Sequence, residues 1–371
     1  MAQNKIAFHS LGCKVNQNEA EAMLKIFEDE GYQKVDFSQK ADIYLIHTCT
    51  VTHLGDRKSR QMVRRAIKQN PEAIVIVSGC YAQVSPDEVL DIPGVDLVIG
   101  TQERGQIFKL VEQVKESRRP INAVRDVLRT REFEELAIEQ TGRVRAFLKI
   151  QEGCQQFCTY CIIPFARGPV RSRDPEKTLL EIQRLVRNGY KEVVLTGIHT
   201  GAYGQDLAPG IDLNWLVEKI AQVPGLARLR ISSLDPNEFT SDFINTIAKY
   251  PATCPHFHIS LQSGDDDILK KMGRCYTTDD FRRLLKQLRE KIPQVAITTD
   301  IMVGFPGETS LEHQNSLDFV EEMEFSGLHV FKYSPRAGTK AASFKNQLPP
   351  AIKEERSKEM IALGKNLEKK F

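Results

Sequence analysis

Apolar runs of strand length alternate with segments of helical period along nearly the whole chain, and this alternation restricts the fold more than any other feature. A strand followed by a helix and then another strand is built for parallel pairing, so the pattern predicts parallel sheets covered by helices. In the first section, strands are predicted at 5–10, 42–47 and 73–78, apolar on both faces as covered strands must be, with a weaker strand at 95–100. Amphipathic helices are predicted at 19–30, 57–69 and through 111–116. Residues 1–116 therefore read as a small doubly wound parallel-sheet α/β domain. Residues 117–141 are charged, contain Arg118-Arg119-Pro120 and lose periodicity, as a linker or extended crossing segment does.

A second count of βα units then begins. Strands are predicted at 145–151, 192–196, 228–232, 257–262, 296–303 and 328–333, and helices at 175–188, 213–223, 241–250, 278–291 and 311–323. Six such units over 142–345 predict a parallel barrel, complete or partial (β/α)6, with its site at the C-terminal strand ends. Residues 346–371 are a Lys/Glu-rich helix. With 371 residues, 41% apolar and 27% charged, the chain reads as a soluble globular protein of two or three domains. No apolar run approaches the roughly 18 residues of a membrane span, and the first residues form no hydrophobic signal region. A cytoplasmic protein with no membrane partner is expected. The formal net charge of +2 announces no nucleic-acid partner by itself, so any RNA contact must come from local patches.

A reducing compartment decides how eight cysteines are read: as metal ligands, catalytic thiols or buried apolar residues before disulfides. Cys154-Gln-Gln-Phe-Cys158-Thr-Tyr-Cys161 directly follows the first strand of the second section. Its spacing lets three thiolates converge on one metal centre, and no nearby fourth Cys or His completes a closed zinc site. Three thiolates on a 4Fe-4S cluster leave one iron open to chelation by S-adenosylmethionine (SAM), whose reductive cleavage yields a 5′-deoxyadenosyl radical. Tyr160 fits a shell that excludes water and shapes the adenine pocket. The alternatives are a zinc loop or a passive electron-transfer cluster.

Cys13, Cys49 and Cys80 lie 36 and 31 positions apart, yet each sits just beyond a predicted parallel strand. Ligand sites of doubly wound sheets form outside the carboxyl ends of strands, so these cysteines can meet on a second cluster. The small or hydroxylated residue before each, Gly12, Thr48 or Gly79, allows close backbone approach to the sulfurs. The alternative is three buried free thiols. Cys254 and Cys275 fit neither group and read as packed or surface thiols.

The segments Leu11-Gly-Cys-Lys-Val-Asn-Gln-Asn-Glu-Ala-Glu21, His47-Thr-Cys-Thr-Val51 and Ser78-Gly-Cys-Tyr-Ala82 join the 154–161 motif in a pattern that resembles the radical-SAM methylthiotransferases. So do Ser260-Leu-Gln-Ser-Gly264, Met272-Gly-Arg-Cys-Tyr-Thr277, Gly304-Phe-Pro-Gly-Glu-Thr309 and Phe331-Lys-Tyr-Ser-Pro-Arg-Ala-Gly-Thr339. The opening Gly-Cys-Lys-Val-Asn-Gln is similar to the branch that modifies threonylcarbamoyladenosine (t6A) in tRNA. The resemblance implies a radical-SAM barrel, two 4Fe-4S clusters held by the two cysteine triplets, and two SAM molecules per turnover. It implies a substrate base beside the anticodon, converted to its 2-methylthio derivative, with an electron donor such as flavodoxin or ferredoxin and a sulfur donor as partners. An inert adenine C2–H bond requires radical chemistry, and the base must be splayed out of the anticodon loop to reach it. The resemblance also implies a C-terminal RNA-binding TRAM β-barrel, and the sequence ends at Phe371 in a charged helix, as a truncated chain would.

By analogy with radical-SAM barrels, Ser260 and Gln262 at the fourth strand end are expected to contact the SAM ribose. The backbone of Asp300 and Gly304 on the fifth strand is expected to line adenine. Thr196 and Gly197, with His199, are expected to flank the SAM amino group, and His199 can equally be a satisfied polar histidine. Arg274 can pair bidentately with the methionyl carboxylate, with an RNA phosphate or with a surface carboxylate. The basic runs Arg57-Lys58-Ser-Arg60 with Arg64-Arg65-Lys68, and Arg167-Gly-Pro-Val-Arg171-Ser-Arg173, are candidate phosphate contacts, which position RNA without reading it. A sister methylthiotransferase acting on isopentenyladenosine or a ribosomal protein, and a non-catalytic iron–sulfur RNA-binding sensor, are the competing functions.

Overall fold

The computed structural model describes residues 4–136 and 144–371. The chain divides into two compact units: residues 1–143 with 152–155 and 162–173, and residues 144–151 with 156–161 and 174–371.

The first unit is built on a six-stranded, all-parallel sheet. Its strands are β1 (Lys5–Ser10), β2 (Gln33–Val35), β3 (Ile43–Thr48), β4 (Ile74–Gly79), β5 (Leu97–Ile99) and β6 (Ile121–Asn122), in the order β2-β1-β3-β4-β5-β6. The order reverses between β1 and β3, which opens a crevice at their carboxyl ends. Helices α1 (Lys14–Asp29), α2 (His53–Gln69), α3 (Cys80–Val84), α4 (Pro86–Leu90) and α5 (Ile107–Ser117) cover it. One core, with Met23, Phe27, Leu45 and Val111, fills one face, and another, with Tyr44, Val63, Val77 and Val98, fills the other. Two faces covered by helices explain why β3 is buried along its whole length. The 117–141 segment, expected to be a linker, contributes β6, whose Ile121 and Asn122 pair with Leu97 and Val98 of β5. The expected position 141 lies outside the described residues.

The second unit carries the barrel. It opens with β7 (Arg145–Lys149); of the short elements that follow in the chain, α6 (Ile163–Arg167) and β9 (Arg171–Ser172) belong to the first unit, and β8 (Gln151–Glu152) lies where the chain changes unit. The βα count then runs α7 (Pro175–Arg187), β10 (Glu192–Thr196), α8 (Leu213–Ala221), β11 (Arg228–Ile231), α9 (Ser241–Lys249), β12 (His256–His258) and α10 (Asp266–Met272). It closes with α11 (Thr278–Lys291), β13 (Ala296–Val303), α12 (Ser310–Glu322), β14 (Gly327–Lys332) and α13 (Pro350–Lys370). The parallel ladders β7-β10-β11 and β12-β13-β14 are joined by the parallel bridges Leu229–Thr253 and Leu234–Ile259, giving six strands in sequential order. Side chains of one parity, among them Leu148, Leu195, Ile231, Phe257 and Ile301, form the core under the helices. The opposite parity faces the barrel interior. Asp174, Asp212, Thr240, Asp265, Thr277 and Thr309 cap the helices that follow them, so each βα turn ends at a defined residue.

The fourth barrel strand is shorter than expected. It ends at His258, and pairing beyond it survives only as isolated parallel bridges, Ile259 with Leu234 and Gln262, at φ +70°, with Ile301. No helix of the described residues is long and apolar enough to cross a membrane.

Candidate active site

In the first unit, Cys13, Cys49 and Cys80 stand at the carboxyl ends of β1, β3 and β4, as their spacing predicts. Cys13 is the N-cap of α1 and Cys80 opens α3. The glycines before them serve close approach. Gly12 has φ +109°, and a Cβ there would lie 2.9 Å from Cβ of Cys49; Gly79 has φ +99°, and a Cβ there would lie 2.5 Å from the Thr48 carbonyl oxygen. Thr48 donates its hydroxyl to the Ser78 carbonyl at 2.6 Å, tying the ends of β3 and β4 together.

Burial pushes the Cys80 thiol up to about 12; Arg167 opposes this, and Cys49 and Cys13 add to it through mutual repulsion. Burial raises Cys49 as well, with Cys13 contributing. Three thiols at neighbouring strand ends, near enough to influence one another's ionisation, are chemically suited to ligate a cationic metal centre. They fit a 4Fe-4S cluster with one iron left open.

Beneath them lies a buried charge network that sequence reading missed. Arg167 is fully buried, and its Nε lies 3.2 Å from Cys80 Sγ. Its Nη1 donates to Glu19 at 2.8 Å and to Glu152 at 3.1 Å, and its Nη2 donates to Asn16 Oδ1 at 2.6 Å. Arg104, also fully buried, pairs with Glu19, with Glu134 at 2.8 Å and with Glu152 at 3.6 Å. Glu19 further meets His47 Nε2 at 3.2 Å, and burial holds His47 below its ordinary range. Asn16 donates to the Leu11 and Thr48 carbonyls at 2.8 Å, linking the network to both strand ends.

The Arg167–Arg173 run is therefore not an RNA phosphate patch. Arg167 and Arg171 are fully buried, and Arg173 pairs with Glu135 at 2.9 Å. The other basic run keeps its exposure: Arg57, Lys58, Arg64, Arg65 and Lys68 lie on the surface of α2, while Arg60 pairs with Glu88 at 3.1 Å. Cys154 is anchored by its backbone N–H, which donates to the Gly168 carbonyl at 3.0 Å. Gly153 before it has φ +78°, and a Cβ there would sit 1.8 Å from the Pro169 carbonyl oxygen.

In the barrel unit, Cys158 and Cys161 form a turn closed by Cys161 N–H to Cys158 O at 2.9 Å. Phe157 enters it with φ +48°, unusual for a bulky side chain. Arg274 Nη1 lies 3.2 Å from Cys158 Sγ and 3.4 Å from Gln156 Oε1, its Nε donates to Tyr276 OH at 3.0 Å, and it forms an ion pair with Asp235. Each of its three nitrogens has a partner within the protein, which corrects the RNA-phosphate reading of Arg274. Tyr276 in turn donates to the Ser260 carbonyl at 2.8 Å. Tyr160 packs with Ile268, Met272, Phe305 and Tyr333, and burial pushes its phenol well up.

The remaining expected residues line the strand ends. Thr196 is buried, and its hydroxyl has no partner among the described residues. A Cβ on Gly197 would meet Gln151 Oε1 at 2.9 Å, and that oxygen accepts from the His199 N–H at 2.7 Å. His199 is a satisfied polar histidine: its ring pairs with Glu238 and stands 3.3 Å from Gln156 Nε2. Gln262 donates its N–H to the Asp300 carbonyl at 2.8 Å, and Gly304, with φ +73°, donates to Glu308 Oε1 at 3.0 Å. Cys254 is buried and its thiol is raised by burial, while Cys275 is exposed, as expected for thiols outside both sets.

The βα barrel and its cysteine loop define the radical SAM class, and residues 148–320 match the radical SAM superfamily. Residues 5–100 match a family described as uncharacterized protein family UPF0004. The chain is 48% identical over 99% of its length, and 81% of the relative's, to the threonylcarbamoyladenosine tRNA methylthiotransferase MtaB of Bacillus subtilis. It is 36% identical to the tRNA-2-methylthio-N(6)-dimethylallyladenosine synthase of Moorella thermoacetica, covering 96% of this chain and 81% of that one. The chain belongs to the radical SAM methylthiotransferase family. Among solved structures, the radical SAM methyltransferase TsrM of Kitasatospora setae shares the fold, with TM-score 0.67 at 15% identity over 92% of this chain and 77% of that one.

Proposed function

We propose that this chain converts threonylcarbamoyladenosine beside the tRNA anticodon to its 2-methylthio derivative. The observation that carries this reading is the second cysteine set: three strand-end thiols backed by a buried arginine, in a chain that already has a radical-SAM loop. The 48% identity to a t6A enzyme, against 36% to a dimethylallyladenosine enzyme, supports the acceptor.

Cys154, Cys158 and Cys161 hold one 4Fe-4S cluster, and Cys13, Cys49 and Cys80 hold the other. When bound, these clusters supply the electron that cleaves SAM and an open iron for sulfur. Around them the protein balances charge and excludes water. Arg274 directs an N–H at Cys158 while Asp235 neutralises it, and Tyr160 closes the apolar side. Arg167 offsets the charge of Cys80 and is itself held by Glu19 and Glu152. The unpartnered Thr196 hydroxyl, with Gly197, Ser260, Gln262 and the backbone of Asp300 and Gly304, forms the SAM site. The exposed cations of α2 track tRNA phosphates. A reduced flavodoxin or ferredoxin and a sulfur donor complete the reaction in the cytoplasm, where tRNA resides.

Reconstituted protein given SAM, reductant and tRNA bearing either t6A or isopentenyladenosine tests this by nucleoside mass spectrometry. Methylthiolation of t6A is expected. Formation of 5′-deoxyadenosine with no product on t6A refutes the acceptor, and absence of 5′-deoxyadenosine refutes the radical chemistry.

A further inference from the structure

His258, Asp300 and His329 come from three neighbouring parallel strands, β12, β13 and β14, and their side chains have no role in the site described above, to which Asp300 lends only its backbone. Phe257 and Ile301, of the opposite parity, pack in the core, so the three polar side chains face the barrel interior. The ligand atoms all lie within 4.8 Å of one another. His258 Nε2 stands 3.1 Å and His329 Nδ1 3.3 Å from the same Asp300 oxygen.

We propose that this group is a binding site for a divalent first-row transition-metal ion. Charge-assisted N–H···O bonds run at about 2.7–2.9 Å, so both contacts are long for simple ion pairing. Two ligands at about 2.1 Å from one metal, with angles between 90° and 109°, lie about 3.0–3.4 Å apart. Both observed separations fall in that interval.

The surrounding contacts suit the same assignment. His258 Nδ1 meets Thr298 Oγ1 at 2.9 Å. With the proton on Nδ1, Nε2 presents its lone pair to the carboxylate, which is how a metal-binding histidine is oriented by its second nitrogen. The His258 and His329 rings are stacked at 5.1 Å with 27° between planes. Two imidazoles and one carboxylate suit zinc or ferrous iron, and three protein ligands leave coordination positions open for water or another oxygen donor. The His329 side chain is 66% exposed, which provides an entry path.

Manganese binding to the holoprotein, with both clusters in their diamagnetic oxidised state, tests the site. The sharp six-line EPR signal of free Mn2+ should be lost up to one equivalent and restored by Zn2+ in competition. Asp300→Asn and His329→Gln should each abolish the loss without changing iron content, and the exposure of His329 makes the second variant safe for folding. Thr298→Val should weaken binding by about 10- to 100-fold. A full six-line signal below one equivalent in the wild type, or an undiminished loss in His329→Gln, overturns the proposal.

Discussion

Arg167→Met isolates the charge network beneath the first cysteine set. In the native protein the three fully buried arginines, 104, 167 and 171, stand among the carboxylates Glu19, Glu152 and Glu134, and Arg167 pairs with the first two. The substitution keeps most of the side-chain volume and removes one positive charge, leaving one carboxylate uncompensated. Removing a single partner from a buried pair costs about 3–5 kcal/mol. For a unit of this size each kcal/mol moves the melting temperature by about 2–4 °C, so a drop of about 6–20 °C is expected. Thermal unfolding followed by circular dichroism, at matched cluster iron content, reads it. The double variant Arg167→Met/Glu152→Gln restores neutrality and should recover a large share of the loss, because neutral replacement of a buried pair is often nearly cost-free. A drop under about 1 kcal/mol in the single variant, or no recovery in the double, refutes the argument that charge balance holds this site together.

Cys154→Ala and Cys80→Ala should each remove one cluster, halving iron and sulfide in chemical analysis; loss of both clusters in either variant would contradict two independent sites. Gly153→Ala drives a Cβ into the Pro169 carbonyl, 1.8 Å away in the native backbone, and adds strain at φ +78°. It should lower cluster loading, read by absorbance per protein, whereas Gly189→Ala, with nothing within 4 Å, should leave loading unchanged. In cluster-free protein the Cys80 thiol titrates at about 12, above the ordinary thiol value of 9.0. A folded-state value above the unfolded one gives a contribution that is complete below about pH 9 and is lost as pH rises toward about 12. The wild type should therefore lose more stability than Cys80→Ala across that window in denaturant titrations, and parallel curves would contradict the burial argument.

The cysteines were legible because each follows a strand whose apolar run is plain in sequence, and parallel topology then gathers strand ends. The short edge strands were not: Gln33–Val35 and Ile121–Asn122 have three and two residues, too few for any alternation to register. Arg167 and Arg171 misled for a physical reason. Basic residues after a cluster loop look like phosphate ligands unless their carboxylates are known, and Arg167 finds Glu19 at a sequence separation of 148. Asn16 and Glu19 do share a helical face with Cys13, a local signal, but nothing local says that two arginines will meet them. The early end of β12 was hidden as well, because residues 259–262 keep the apolar alternation of a strand while pairing only through isolated bridges. Asp300 and His329 are register partners and His258 pairs with Thr298 two positions earlier, a juxtaposition that neither spacing nor composition contains.

The interleaving of the two units has a consequence for the order in which the protein can be made. Glu152, Cys154 and Arg167 belong to the first unit, yet they follow β7 of the second in the chain. A ribosome that has released only the first 143 residues has delivered Glu19 and Arg104 but neither Glu152 nor Arg167. Translation at about 5–20 residues per second then imposes a wait of a few seconds before the last partners emerge. The N-terminal sheet is thus a vectorial folding intermediate by construction, and cutting the gene at its apparent domain boundary would sever the unit from its own keystone.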